Sequence, residues 1–272
     1  MKDTFTNTIN ESVWIDRLRT AFSRNKYLSH PAAPIFAFIL LFALLPLLIG
    51  REVLLTTILA FTVFAISYNL VLGYSGLLAF GHAAFFGIGS YVFIFAGNNG
   101  FSLVFALVAV AVVSGIAGVV MGVISLRRRG LYFAMITLAI AQGIYGFVFY
   151  SQFTGGDNGL IVESRQMPVL LGIGEMDFTN TLLAYYFVLV AALVVILLFY
   201  RIVRSPFGLT LQAIRENEER ANHLGYDVQF SLLSSFTISA IFSGIAGAML
   251  IMMVGITSPD NIHWLTTGEM VI

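Results

Sequence analysis

Residues 69–91 read NLVLGYSGLLAFGHAAFFGIGSY, an apolar stretch that contains no Asp, Glu, Lys or Arg. A helix crosses the hydrocarbon core of a bilayer with about 20 apolar residues, and most of this stretch belongs to the span predicted over residues 77–97. Its glycines and His82 distinguish it from a plain span. Glycines let helices approach closely, and an interrupted helix exposes amides and carbonyls that can bind a polar solute. We therefore expect the span over residues 77–97 to be broken or partly re-entrant.

The rest of the chain has the same apolar character. Of its 272 residues, 58% are hydrophobic and 10% are charged, and the mean hydropathy is +0.91. A soluble protein carries about a quarter charged residues because its surface is hydrated, so this composition indicates an integral membrane protein. The net charge of zero argues against a nucleic-acid partner. The absence of cysteine excludes disulfides, thiolate metal sites and thiol catalysis.

Seven segments are long enough, or nearly so, to cross the membrane as helices. They are residues 33–50, 53–72, 77–97, 102–126, 131–150, 182–200 and 230–256. Lipid offers no partner for unpaired backbone groups, so the predicted fold class is an all-α, polytopic transmembrane helical bundle over residues 33–272. Residues 1–32 lack the apolar core of a signal peptide. They are expected to be a cytoplasmic segment, either with an interfacial amphipathic helix or as a disordered tail.

The distribution of lysine and arginine predicts the direction of the spans. With the N-terminus inside the cell, only Arg51 and Arg165 lie outside. The remaining basic residues, from Lys2 and Lys26 through Arg127, Arg128 and Arg129 to Arg220, all fall in internal segments. The sequence therefore predicts a multi-pass protein of the cell (inner) membrane with a cytoplasmic N-terminus.

The stretch at residues 69–91 also supplies the candidate pathway residues, which are its polar and aromatic side chains. They are Asn69, Ser75, His82, Phe85, Phe86 and Tyr91. His82 either takes part in the pathway or hydrogen-bonds to a neighbouring helix and positions it. The aromatic side chains either line an apolar pathway or simply pack. The other histidines lie in separate loops, so no metal site is predicted.

A serine protease is an alternative interpretation of the same stretch. Gly73-Tyr-Ser-Gly76 has the Gly-x-Ser-Gly form found in intramembrane serine proteases. Such an enzyme needs a histidine within hydrogen-bond reach of the serine. The available base is His82, about 10 Å along one helix from Ser75. The motif is short and uncorroborated, so no catalytic residue is assigned.

Residues 201–229 form the longest internal loop, RIVRSPFGLTLQAIRENEERANHLGYDVQ. Apolar positions such as Ile214 and Ala221 alternate with a charged face, and Gly225 can end the helix. An amphipathic helix of this kind either docks into a groove of a partner protein or is a solvated connection. In the predicted external loop, over residues 151–181, the segment TGGDNGL at 154–160 faces a docking partner, faces the mouth of a pathway, or forms an ordinary turn.

Two further observations concern transport. The sequence SGIAG occurs at residues 114–118 and again at 243–247. This indicates either an inverted repeat, which is common in transporters, or a shared packing motif of small residues. No Gly-x-x-x-x-Gly-Lys motif occurs, so the chain carries no recognisable P-loop. If ATP drives transport, other subunits bind it, and no cofactor is assigned to this chain.

The chain resembles LivM-type permease subunits of the branched-chain amino acid ABC importer family over roughly residues 35–272. The resemblance rests on four elements in order: residues 69–91, LYFAMITLA at 131–139, TGGDNGL at 154–160, and residues 205–225 continuing to SGIAG at 243–247. It implies that residues 219–225 correspond to the coupling motif that docks on the ATPase, although Arg220 stands where that motif has alanine. The implied ATPase-coupling residues are Ile214, Arg215, Glu216, Glu219, Ala221 and Gly225. The family also has a glycine-rich element after the next span, so we expect the chain to be C-terminally truncated.

The resemblance implies a subunit of an ATP-driven importer for branched-chain or related hydrophobic amino acids. The implied partners are a second homologous permease, cytoplasmic ABC ATPase subunits and an extracytoplasmic solute-binding protein. A urea or short-amide importer, a passive solute channel and the protease remain as alternatives.

Overall fold

A computed structural model describes residues 42–46, 50–163, 166–170 and 173–271. The chain divides into two compact units, Met1–Gly50 and Arg51–Ile272. In the first unit, residues 42–46 are helical. The predicted cytoplasmic segment and most of the predicted first span lie outside the described residues.

The second unit is a helical bundle, which confirms the predicted fold class. Its helices are α1 (Glu52–Asn69), α2 (Ala83–Asn98), α3 (Leu103–Ser125), α4 (Leu131–Tyr150), α5 (Thr181–Val203), α6 (Pro206–Glu216), α7 (Glu218–His223), α8 (Val228–Val254) and α9 (Trp264–Val271). Short strands β1 (Leu160–Ile161) and β4 (Ile256–Thr257) pair antiparallel, as do β2 (Gln166–Leu170) and β3 (Ile173–Asp177).

Five helical segments in the described part of the chain are long and apolar enough to cross a membrane: Glu52–Tyr74, α3, α4, α5 and α8. Their bounds lie within a few residues of the predicted spans. The ends of these helices are set by capping residues. Ser102, Asn180 and Asp227 accept hydrogen bonds from backbone amides of the first turns of α3, α5 and α8. Gly255, with φ of +75°, ends α8.

Helix α8 is the centre of the bundle. Of its most apolar stretch, 72% is buried, against 28% for α4. Its small residues permit this close packing, because a Cβ added at Gly244 would lie 2.0 Å from Ser114 Oγ of α3. The two SGIAG motifs thus meet directly in the bundle, and this contact supports the packing interpretation of the repeat.

The loops gather at two ends of the bundle. Residues 126–130 and 201–227, which we call the arginine end, are joined by the Arg129–Glu218 ion pair. At the opposite end, Asn98 Nδ2 donates to the Ile161 carbonyl, and the Glu163 amide donates to Asn98 Oδ1, both at 3.0 Å. These contacts bring the loop after α2 and the loop after α4 to the same end of the bundle. The distribution of lysine and arginine predicts that both loops lie on the same side of the membrane.

The TGGDNGL segment at the opposite end is a tight turn built on glycines with positive φ. At Gly159, with φ of +71°, an added Cβ would lie 1.9 Å from the Thr257 carbonyl oxygen. This turn places β1 beside β4, with Leu160 paired with Thr257. It anchors the loop to the segment that comes after α8.

Candidate functional site

The stretch at residues 69–91 is not one continuous helix. Helix α1 continues as a π-helical turn over Leu70–Tyr74, and regular helix resumes only at Ala83. We call residues 70–82 the interruption. The predicted span over 77–97 is therefore wrong at its start, because Gly76 has φ of +71° and turns the backbone out of the helical path. The helical part of this span is the 16-residue α2.

Two short helices at the arginine end replace the single amphipathic helix that the sequence suggested. Asn217 has an extended backbone that stops α6, and its side chain accepts a hydrogen bond from the Arg220 amide at 2.8 Å, which caps α7. Ile214 and Ala221 are buried and seat the two helices on the bundle. Gly225, with φ of +88°, ends this segment as predicted.

The remaining predicted coupling residues are exposed, but they have different surroundings. Glu216 and Glu219 face outward, together with Gly225. Arg215 instead reaches the interruption: its guanidinium donates a hydrogen bond to the Gly73 carbonyl. Arg215 thus differs from Glu216 and Glu219, because its side chain contacts the interruption.

An ion pair ties the α6–α7 segment to the loop between α3 and α4. Arg129 donates to both carboxylate oxygens of Glu218, with Nη2 to Oε1 at 2.8 Å and Nε to Oε2 at 3.1 Å. Arg129 Nη1 also donates to the Leu126 carbonyl at 3.0 Å. A neighbouring cleft of about 580 Å³ is lined by Arg129, Glu218, Glu219 and Asp227, among others. Three carboxylates against one arginine leave this cleft acidic.

The polar groups of the interruption and its surroundings are bonded to α8. Ser75 Oγ donates to Ser235 Oγ at 2.9 Å. The Ser239 hydroxyl donates to the Ser67 carbonyl, so its oxygen accepts from Nε2–H of His82 at 3.0 Å. His82 is fully buried, and among the described residues its Nδ1 has no hydrogen-bond partner.

These contacts favour a positioning role for His82 over a catalytic one. Its ring lies among aromatic side chains, with ring centroids 5.3 Å from both Tyr68 and Phe85. The hydroxyl of Ser75 bonds to Ser235 and to the Leu70 carbonyl, whereas the imidazole bonds to Ser239. The arrangement is therefore not that of a serine–histidine pair.

The other candidate pathway residues are distributed over several environments. Phe85 and Phe86 are fully buried within this chain, and Tyr91 is 8% exposed. Asn69 is exposed, and its side chain lies against Gly73, where an added Cβ would be 2.0 Å from Asn69 Oδ1. Their role in a pathway stays a prediction.

The comparison with known proteins decides the family. Residues 50–272 match the family described as branched-chain amino acid transport system / permease component. The chain belongs to this permease family. Its curated relatives include the high-affinity branched-chain amino acid transport system permease protein LivM of Salmonella typhimurium (strain LT2) and that of Escherichia coli (strain K12).

Each of the two LivM proteins is 30% identical to the chain over 235 residues. The aligned region covers 78% of this chain and 55% of each relative, so the chain spans about half the length of the curated relatives it matches. No solved structure matches it.

The sequence analysis did not identify the serines of α8 as hydrogen-bond partners of the interruption and of the end of α1. Ser231, Ser235, Ser239 and Ser243 recur every four residues and therefore share one face of the helix. Two of them bond to residues 67–82. The spacing could have predicted a polar stripe facing the interior of the bundle.

Proposed function

We propose that this chain is a permease subunit of an ATP-driven ABC importer for branched-chain or related hydrophobic amino acids. It forms half of a translocation pathway with a second homologous permease. Cytoplasmic ATPase subunits supply the energy, and an extracytoplasmic binding protein delivers the solute. Membership of the permease family and the name of the LivM relatives support this proposal.

One structural observation carries the proposal beyond family membership. The α6–α7 segment is seated by Ile214 and Ala221 and presents Glu216 and Glu219 outward at the arginine end. An exposed helical segment of this kind fits a groove in a partner protein. We assign this surface to the ATPase subunit, which places the arginine end in the cytoplasm. A passive channel has no need of such a docking segment.

The charge of the surface specifies the complementary partner surface. Glu218 is paired with Arg129, whereas the described residues provide no ion pair for Glu219. The adjoining cleft is acidic, so we expect the ATPase to place a basic side chain opposite this cleft, which exposed arginines such as Arg220 flank. Because exposed charges mainly steer association, raising the salt concentration should weaken the docking.

Reconstitution of the complete transport system tests the proposal. The chain is co-expressed with the neighbouring permease, ATPases and binding protein, and ATPase stimulation by loaded binding protein is measured. The solutes are leucine, isoleucine, valine, urea and acetamide. We expect stimulation by the branched-chain amino acids, with loss of stimulation when Glu219 and Gly225 are both replaced.

The outcomes separate the parts of the proposal. Stimulation by urea or acetamide alone would refute the amino acid assignment while keeping the importer. An intact complex that none of these solutes stimulates would refute the assignment of branched-chain or related amino acids as the substrates. Solute flux through this chain without ATP would instead establish a channel.

A further inference from the structure

The interruption leaves backbone carbonyls that the helix itself cannot satisfy. Where a helix ends, its last carbonyl groups lose their partners in the next turn. Here the amides of Ser75 and Leu77 donate to the carbonyls of Leu70 and Val71, at 3.2 and 2.9 Å. The Gly73 carbonyl, later in the same turn, accepts from the guanidinium of Arg215. A residue 142 positions along the chain therefore completes this helix end.

The Gly73–Gly76 turn is shaped to receive that arginine. A Cβ added at Gly76 would lie 2.9 Å from Arg215 Cγ and 3.6 Å from its Cβ. The missing side chain thus leaves room for the methylene groups of Arg215 to cross the turn. The positive φ of Gly76 is also a conformation that other residues rarely adopt. Gly76 is consequently explained both by its backbone conformation and by a contact with α6.

The turn that Arg215 contacts is also attached to two membrane spans. Ser75 bonds to Ser235 of α8, and the ring of Tyr74 lies 6.0 Å from that of Phe199 of α5, edge to face. Arg215 therefore contacts a turn whose own side chains, Tyr74 and Ser75, pack against α5 and hydrogen-bond to α8. A displacement of Arg215 would act on this turn.

We propose that Arg215 is the positioning residue through which α6 moves the interruption, and thereby α8, when the ATPase subunits close. The proposal rests on the function proposed above. It assigns Arg215 to the internal transmission of movement, in contrast to the outward-facing Glu216 and Glu219. A charged donor strengthens the contact, because hydrogen bonds to ionised groups are stronger than neutral ones.

The test compares Arg215→Ala and Arg215→Lys with Arg128→Ala in the reconstituted importer. Arg128 is an exposed arginine at the same end of the bundle, so its replacement removes the same charge from the same surface. The readout is the amount of amino acid transported per ATP hydrolysed. We expect Arg215→Ala to lower this ratio roughly tenfold, since a hydrogen bond to a charged group is lost. Arg215→Lys should recover part of the ratio because its ammonium group can still donate to a carbonyl. Arg128→Ala should leave the ratio unchanged.

A double-mutant cycle separates transmission from general damage. Gly76→Ala displaces the Arg215 side chain, so it should lower the same ratio. The double variant of Arg215→Ala and Gly76→Ala should then be no worse than the more impaired single variant. If the complex with Arg215→Ala does not assemble, the test uses Arg215→Lys and Gly76→Ala instead. Both should then lower the amount of amino acid transported per ATP hydrolysed.

The failures of the two proposals are distinguishable. A wild-type complex without solute-stimulated ATPase activity overturns the proposed function and the role of Arg215 together. A stimulated wild-type complex in which Arg215→Ala keeps its transport ratio within about twofold overturns the role of Arg215 alone. Additive effects in the double variant also overturn it.

Discussion

Replacement of Gly89 by alanine should separate α2 from α8. A Cβ at Gly89 would lie 2.0 Å from the carbonyl oxygen of Gly244 and 2.5 Å from its Cα. Ordinary van der Waals contact begins at 3.4 Å. The obstructing atoms are backbone, which cannot rotate away as a side chain could, so one helix must shift.

The expected cost is set by two opposing effects. Overpacking a close contact typically destabilises a protein by about 1–3 kcal/mol. Alanine favours helix over glycine by up to about 1 kcal/mol, which offsets part of that cost. The shift also threatens the 2.7 Å hydrogen bond between the hydroxyl groups of Ser90 and Thr257, beside the contact. Losing that bond would add about 0.5–1.5 kcal/mol, which cancels the offset from alanine, so we expect a net loss of about 1–3 kcal/mol.

Gly143→Ala in α4 is the matched control. Among the described residues, nothing lies within 4 Å of a Cβ added at Gly143. The chemical change is therefore identical and the collision is absent. In detergent, Gly89→Ala should lower the thermal unfolding midpoint by roughly 3–10 °C, whereas Gly143→Ala should leave it unchanged or raise it slightly. Equal midpoints for the two variants would refute the inferred backbone contact between α2 and α8.

Three further predictions concern single contacts. Charge reversal by Arg129→Glu or Glu218→Arg should each destabilise the arginine end by about 0.5–1 kcal/mol. Combining them should recover part of the thermal midpoint, because the swapped pair can form but the bond from Arg129 to the Leu126 carbonyl is lost, and a double variant worse than either single one would contradict the ion pair. Ser239→Ala leaves the imidazole of His82 without its partner and should cost about 1–3 kcal/mol in thermal unfolding, with an unchanged midpoint as the contrary result. Gly159→Ala should release the loop at 151–163, measured as faster cleavage in limited proteolysis, and unchanged cleavage would count against the tight turn.

The bounds of the spans were predictable because the membrane fixes them. The predicted segments 102–126 and 131–150 correspond closely to α3 and α4. A long apolar run has only one way to satisfy its backbone in lipid, so composition alone identifies the helix. The interruption was also predictable, since glycines and His82 occur together within one apolar stretch.

The partners of the interruption were not predictable from local patterns. The family resemblance implied a role in ATPase coupling for Arg215, but the contact with Gly73 depends on tertiary packing between distant segments. Likewise, the sequence suggested one amphipathic helix where Asn217 divides two. An asparagine can cap a helix or lie on the surface of one, and the sequence alone does not distinguish the two. The surrounding fold decides which of these Asn217 does.

The way the interruption is satisfied limits how it can move. Its groups bond to separate elements: the Gly73 carbonyl to Arg215 of α6, and the Ser75 hydroxyl to Ser235 of α8. The Ser75–Ser235 bond is buried, and a buried polar group left without a partner costs about 1–3 kcal/mol, whereas the Arg215–Gly73 bond is exposed, so water can replace it and its loss costs less. Moving one of these elements alone breaks such a bond, whereas moving them together with the interruption preserves it. A displacement of α6 that carries the interruption and α8 with it keeps both bonds, which is the movement that the proposed role of Arg215 needs.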